Sequence, residues 1–121
     1  YGGYIDVAEA LIGRGADVDG KDNYRSTPLH IPSGRGHIHV AEALIAKGAD
    51  IDGKDEYGRT PLHYAGDGGH IDVANALIAK GADVNAKDNH GNTPLGAAKS
   101  KGNDLVANLL EAERNRMGMA E

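Results

Sequence analysis

Six histidines and a surplus of carboxylates are the groups in this 121-residue chain best suited to chemistry. The imidazoles of His30, His37, His39, His63, His70 and His90 are of the type that ligates metals or moves protons. The segments Asp17-Val18-Asp19-Gly20 and Asp50-Ile51-Asp52-Gly53 alternate oxygen ligands as a calcium loop does. The spacing argues against both chemistries. His63 follows His30 at the same interval at which His70 follows His37, so these rings are spread along the chain and do not converge on one point. Neither acidic segment supplies the third alternating ligand before its glycine or the bidentate glutamate that such a loop needs, and both suit turns instead. The chain has no cysteine, which removes disulfides and thiolate metal sites and leaves either redox compartment open. The few serines lie in turns with no recognised arrangement of histidine and carboxylate, and no Gly-rich strand-to-helix loop is present to cradle phosphate. The expectation is a protein that is not an enzyme and that holds neither cofactor nor metal.

The elements that position these residues come from an internal repeat. Thr-Pro-Leu-His at Thr27 to His30 recurs at Thr60 to His63, and Thr-Pro-Leu-Gly follows after an equal step at Thr93 to Gly96. Gly-His-Ile at Gly36 recurs at Gly69, and Gly-Ala-Asp stands at Gly15, Gly48 and Gly81, all in the same register. Residues 1–21 align only with the second half of a unit, so one domain over residues 1–121 divides into a partial unit, 1–21, full units 22–54 and 55–87, and a terminal unit 88–121. Such units are too small to bury their own apolar faces and must stack, which directs the search for function to the faces of the stack.

Each unit reads physically as two helices and a projecting loop. Thr60 suits the N-cap, Pro61 the first helical position, Leu62 the start of the buried stripe, and Gly69 the end of the first helix. A second helix from near His70 puts Ile71, Ala74, Leu77 and Ile78 on one side, with Asp72, Asn75 and Lys80 elsewhere. Lys80 and Gly81 form its exit, the cation complementing the helix dipole and the glycine able to turn left-handed. Residues 82–92 carry Asp, Asn and Gly at turn positions and read as a hairpin-like projection.

A unit of this period with Thr-Pro-Leu-His, Gly-His and Gly-Ala-Asp-Val-Asn resembles the ankyrin repeat over nearly the whole chain. The resemblance implies an all-α solenoid of helix-turn-helix units with projecting β-turns, acting as a scaffold that binds a protein partner through the loop tips and the concave helix face. It also implies that His30 and His63 hydrogen-bond within their own repeats and steady the loop before the first helix, a structural role extended to His37 and His70. Asn85 resembles the site that asparaginyl hydroxylases modify on such domains. The recognition positions that it marks are Asn23, Tyr24, Ser26, Gly34 and Arg35, then Glu56, Tyr57, Arg59, Asp67 and Gly68, then Asn89, His90, Asn92, Ser100 and Lys101. Tyr24, Tyr57 and His90 recur at the repeat period and should form a ladder along the tips, with the tyrosines as interface anchors. The alternative for the rings is packing on neighbouring loops only. For the chain as a whole the alternatives are a spacer within a larger repeat protein and a metal- or ligand-binding module.

Bulk properties agree. A net charge of −5, from 18 acidic and 13 basic residues interspersed, does not suit nucleic acid, and charge or glycine breaks every apolar run well short of a membrane span. Two departures fall in unit 22–54. Pro32 replaces Ala65 and Ala98 near the fifth position of a first helix, where a proline costs roughly 3 kcal/mol, so that helix should be short or bent. Arg25 stands where Gly58 and Gly91 supply a turn glycine. The last helix, about Asp104 to Arg116, places Asn108, Glu111, Arg114, Asn115 and Arg116 beside Leu105, Leu109 and Leu110, as a capping unit should. The chain starts inside a unit, at Tyr1-Gly2-Gly3, so the expectation is a piece of a longer array whose open end, at Ile5, Ala8 and Leu11, self-associates or frays.

Overall fold

The computed structural model describes residues 27–118, which form three helix pairs and, among the described residues, no strand. The pairs are α1 (His30–Arg35) with α2 (Ile38–Ala46), α3 (Pro61–Gly68) with α4 (Ile71–Ala79), and α5 (Pro94–Ser100) with α6 (Asp104–Arg116). The longest of the first helices, α3, has 8 residues, too few to persist alone in water. They persist by stacking. The first helices pack in the order α1, α3, α5 and the second helices in the order α2, α4, α6, giving two layers.

The core runs between the layers. Leu29, Val40, Leu44, Leu62, Val73, Leu77, Val106 and Leu110 are almost fully buried, each contributing about 1.5–3 kcal/mol of transfer free energy. Small Ala41, Ala65, Ala74 and Ala98 let the helices approach, which explains how a chain without Phe or Trp fills its interior. In α4 the buried set is Val73, Ala74 and Leu77, while Ile71 and Ile78 pack at its margin. The helical phase is therefore centred between Val73 and Leu77 and is narrower than the stripe from Ile71 to Ile78. In α6 the inward residues are Val106, Ala107 and Leu110, and Leu105 stands 73% exposed. This departs from the expectation that grouped Leu105 with Leu109 and Leu110 beside the polar outer face: at about 100° per residue the face that meets α4 passes Leu105 by.

The local signals act as read in α3. Thr60 Oγ1 accepts from the His63 amide, Pro61 takes the first position, and Gly69 closes the helix at φ 74°. After α4, Gly81 adopts φ 91°. The unit with Pro32 departs from this pattern. Its first helix starts at His30, two positions later than its counterparts, and has six residues where α3 has eight and α5 seven. The shift leaves Pro28 outside the helix, and the His30 amide bonds the Thr27 carbonyl at 3.1 Å. Pro32 then occupies the third helical position, where an amide has no intrahelical acceptor to lose. The helix is short, as expected, but the full cost of an interior proline does not arise. Arg25 and the open end at Ile5, Ala8 and Leu11 lie outside the described residues.

Candidate functional site

The loop before each of α3 and α5 is built around one aspartate. Asp55 Oδ1 accepts from the amides of Tyr57 and Arg59, both at 2.9 Å, and Asp88 Oδ1 accepts from the amides of His90 and Asn92, both at 2.9 Å. Each turn closes further through Asp55 N–H to the Arg59 carbonyl at 3.1 Å and Asp88 N–H to the Asn92 carbonyl at 2.9 Å. Burial pushes the Asp55 carboxyl up, but hydrogen bonds from the Tyr64 hydroxyl and the Arg59 and Tyr57 amides together hold it below its ordinary value. Asp88 is likewise raised by desolvation and lowered further by the Asn92 and His90 amides, with a net downward shift. The acidic segment Asp50-Ile51-Asp52-Gly53 serves a turn as well, Asp50 Oδ1 accepting from the Asp52 amide at 3.0 Å and Asp52 Oδ1 from the Asp83 amide of the next unit at 3.0 Å, while Asp17-Val18-Asp19-Gly20 lies outside the described residues.

Histidines join the units. The Thr60 amide and hydroxyl lie 3.1 and 2.9 Å from His63 Nδ1, so Nδ1 is the acceptor and Nε2–H donates to the Asn92 carbonyl at 2.8 Å. His30 repeats this with Thr27 and the Arg59 carbonyl, again at 2.8 Å. The bonds inside the repeat are those the resemblance implies; the bond across to the next loop is an addition that sequence reasoning missed. Burial depresses the His63 pKa, with the Asn92 hydrogen bond and Asp88 opposing it, in keeping with a neutral ring. His70 Nε2 reaches back to the Gly34 carbonyl at 3.0 Å. Asn103, in the same place one unit on, donates to the carbonyls of Gly66 and Asp67 at 2.8 and 2.9 Å. His39 is exposed, 3.8 Å from Glu42. Among the described residues no three metal-ligating side chains cluster, and no helix is long and apolar enough to cross a membrane.

This geometry sorts the residues marked by the resemblance. Tyr57, Arg59, Asp67, His90, Asn92 and Ser100 come together around one groove of about 340 Å³, with Asp88, Gly96 and Ala97 completing its wall. Arg59 Nη2 lies 3.8 Å and Lys101 Nζ 3.9 Å from Asp67 Oδ1, so the charges along it are coupled. Tyr57 is 56% exposed. Glu56 and Asn89 act differently: the Asn89 side-chain amide donates to the Glu56 carbonyl at 3.0 Å, and its backbone amide to that of Tyr57 at 2.9 Å, tying one tip to the next. Arg35 lies at the end of α1, outside the groove. Asn23, Tyr24 and Ser26 lie outside the described residues, so the tip ladder is described only from Tyr57 to His90.

Tyr64 is the residue missed. Its hydroxyl donates to Asp55 Oδ2, its ring meets His30 edge-on at 5.1 Å, and the Arg59 guanidinium sits 4.9 Å above it. Ile31 and Ala97 occupy the matching positions, so no repeated letter flagged it.

A family model described as ankyrin repeats, three copies, matches residues 1–88. The chain belongs to the ankyrin repeat family. The match covers 88 of the 121 residues, and the helix pair α5–α6 continues the ankyrin pattern beyond it. No curated protein matches the chain. Ankyrin repeats are in general protein–protein interaction modules and are typically not enzymes.

Proposed function

We propose that residues 1–121 form one non-enzymatic domain that binds a protein partner through its loop tips and the adjoining first-helix face. The groove that gathers Tyr57, Arg59, Asp67, His90 and Asn92 carries this reading. Tyr57, Arg59, His90 and Asn92 spring from loops whose backbone is already satisfied by Asp55, Asp88 and the His63 bridge, and Asp67 springs from α3, so a partner can engage them without unfolding anything. Neither nucleic acid nor a membrane is proposed, since the chain is acidic and its cations near the groove are coupled to Asp67. The tip-to-tip bonds of Asn89 favour a second reading, a spacer whose loops only stiffen the array.

Affinity capture with the wild type and with a Tyr57→Ala, His90→Ala double variant separates the two. A binder loses its captured partner in the double variant, with about 30-fold or more in affinity, the size expected for a hot-spot anchor. Circular dichroism and melting should stay unchanged. Unchanged affinity for every captured protein, with the fold intact, overturns the binding reading.

A further inference from the structure

The groove exists because two side chains are missing. Gly96 and Ala97 stand where the preceding unit has His63 and Tyr64, and both line the cavity of about 340 Å³. In the preceding unit the Tyr64 phenol fills this place and its hydroxyl donates to Asp55 Oδ2. Asp88 matches Asp55 in its loop bonds, with Oδ1 accepting from the amides of His90 and Asn92, yet among the described residues Oδ2 accepts from nothing. The wall thus keeps the acceptor and the space for a phenol while lacking the phenol.

We propose that this recess takes a tyrosine side chain of the partner protein, whose hydroxyl donates to Asp88 Oδ2 as Tyr64 does to Asp55. The inference rests on the protein-binding reading above and names the chemistry that the groove selects. The preceding unit shows what surrounds its own phenol. Tyr64 meets the edge of His30, and His63 is the counterpart of His30 one unit on. Arg59 caps the Tyr64 face; its counterpart one unit on is Asn92, and both Arg59 and Asn92 line the recess. Asp88 and Asp67 both border the recess, so a phosphorylated tyrosine is disfavoured: its phosphate is mostly dianionic at neutral pH, with little proton left to donate, and brings like charge.

The probes are N-acetyl-tyrosinamide, N-acetyl-phenylalaninamide and the O-phosphorylated tyrosinamide, titrated into the labelled wild-type chain and followed by amide chemical shifts. The expected result is a saturable shift confined to Asp88, His90, Asn92, Gly96 and Ala97, at least five-fold tighter for tyrosinamide than for phenylalaninamide. Equal affinity for the two, or tighter binding of the phosphorylated probe, overturns the proposal. Ala97→Tyr fills the recess from within, as Tyr64 does one unit earlier, and must abolish the shifts. Should that variant misfold, Asp88→Asn keeps the Oδ1 acceptor of the loop, removes the acceptor for the phenol, and must weaken tyrosinamide several-fold. Persistence of the shifts in either folded variant sinks the idea. The two readings fail separately. Partner capture that survives Ala97→Tyr but is lost in Tyr57→Ala, His90→Ala eliminates the recess alone, whereas capture that survives both eliminates protein binding through this face.

Discussion

The loops before α3 and α5 share a backbone and differ in what the helix behind them contributes. In both, an aspartate holds two amides at 2.9 Å and a threonine side chain caps the helix. Behind the first, His63 bridges to the next loop and Tyr64 closes over Asp55; behind the second stand Gly96 and Ala97. The aspartate turn and the threonine cap therefore form with or without those two side chains, while His63, where present, adds a bond to the next loop. Tyr64 fills the face behind the first loop, and Ala97 leaves it open behind the second.

The comparison is sharpest in the core, where the largest effects are expected. Leu62 is fully buried between neighbours on both sides, whereas Leu95, its counterpart in the next unit, retains 8% exposure. Leu62→Ala should cost about 3–5 kcal/mol and Leu95→Ala about 2–3 kcal/mol, measured by urea unfolding. Equal costs would mean that the third pair is as tightly packed as the second.

His63→Ala comes next. It leaves the Thr60 amide and the Asn92 carbonyl without their partner, for about 2–3 kcal/mol. It should also change the pH profile. The folded His63 titrates below its ordinary value of 6.5, so the unfolded chain takes up its proton first. The stability due to this ring is complete above about pH 6.5 and is lost as pH falls from there through the folded pKa. Unfolding free energy measured from pH 7.5 to 5 should fall more steeply for the wild type than for His63→Ala. Parallel profiles would show that His63 is not held neutral.

Much of this architecture is legible in the sequence. Threonine caps, prolines at first helical positions and glycine exits are local devices, and each is decided within one turn of chain, so Thr60, Pro61, Gly69 and Gly81 read correctly from letters alone. Six of the marked residues, from Tyr57 to Ser100, do surround one groove, because stacking at a fixed period brings equivalent positions together. Contacts between units are not legible. The His63 bond to Asn92 and the Asn89 side-chain bond to the preceding tip, like the Tyr64 bond to Asp55 within one unit, depend on how far a side chain reaches, which no periodicity encodes. The cost of Pro32 is overestimated for the opposite reason: its position is counted from Thr27, and the helix starts late.

Two glycines extend the comparison at smaller scale. A Cβ on Gly66 would lie 2.9 Å from the Pro94 carbonyl of the next unit, whereas on Gly96 its nearest neighbour is Thr93 Oγ1 at 3.7 Å. Gly66→Ala should therefore destabilise by about 1–3 kcal/mol through overpacking, while Gly96→Ala should stabilise by about 0.4–1 kcal/mol by restricting the unfolded chain. Opposite signs in thermal melts are the expected outcome, and a shared sign would mean that the helix spacing adjusts freely.

The smallest stability effect belongs to the tip itself. Tyr57 is 56% exposed, and the bonds that tie its loop to Asp55 and Asn89 come from its backbone. Tyr57→Ala keeps those backbone bonds, so it should change unfolding free energy by about 0.5 kcal/mol or less. Asp55→Ala removes the acceptor for two amides and for the Tyr64 hydroxyl, so it should cost several times more although it lies in the same loop. Chemical denaturation of the pair decides whether scaffold and contact surface are separable within one loop. If Tyr57→Ala proves as costly as Asp55→Ala, the ring is part of the scaffold, and the open face beside α5 would be left to bind without it.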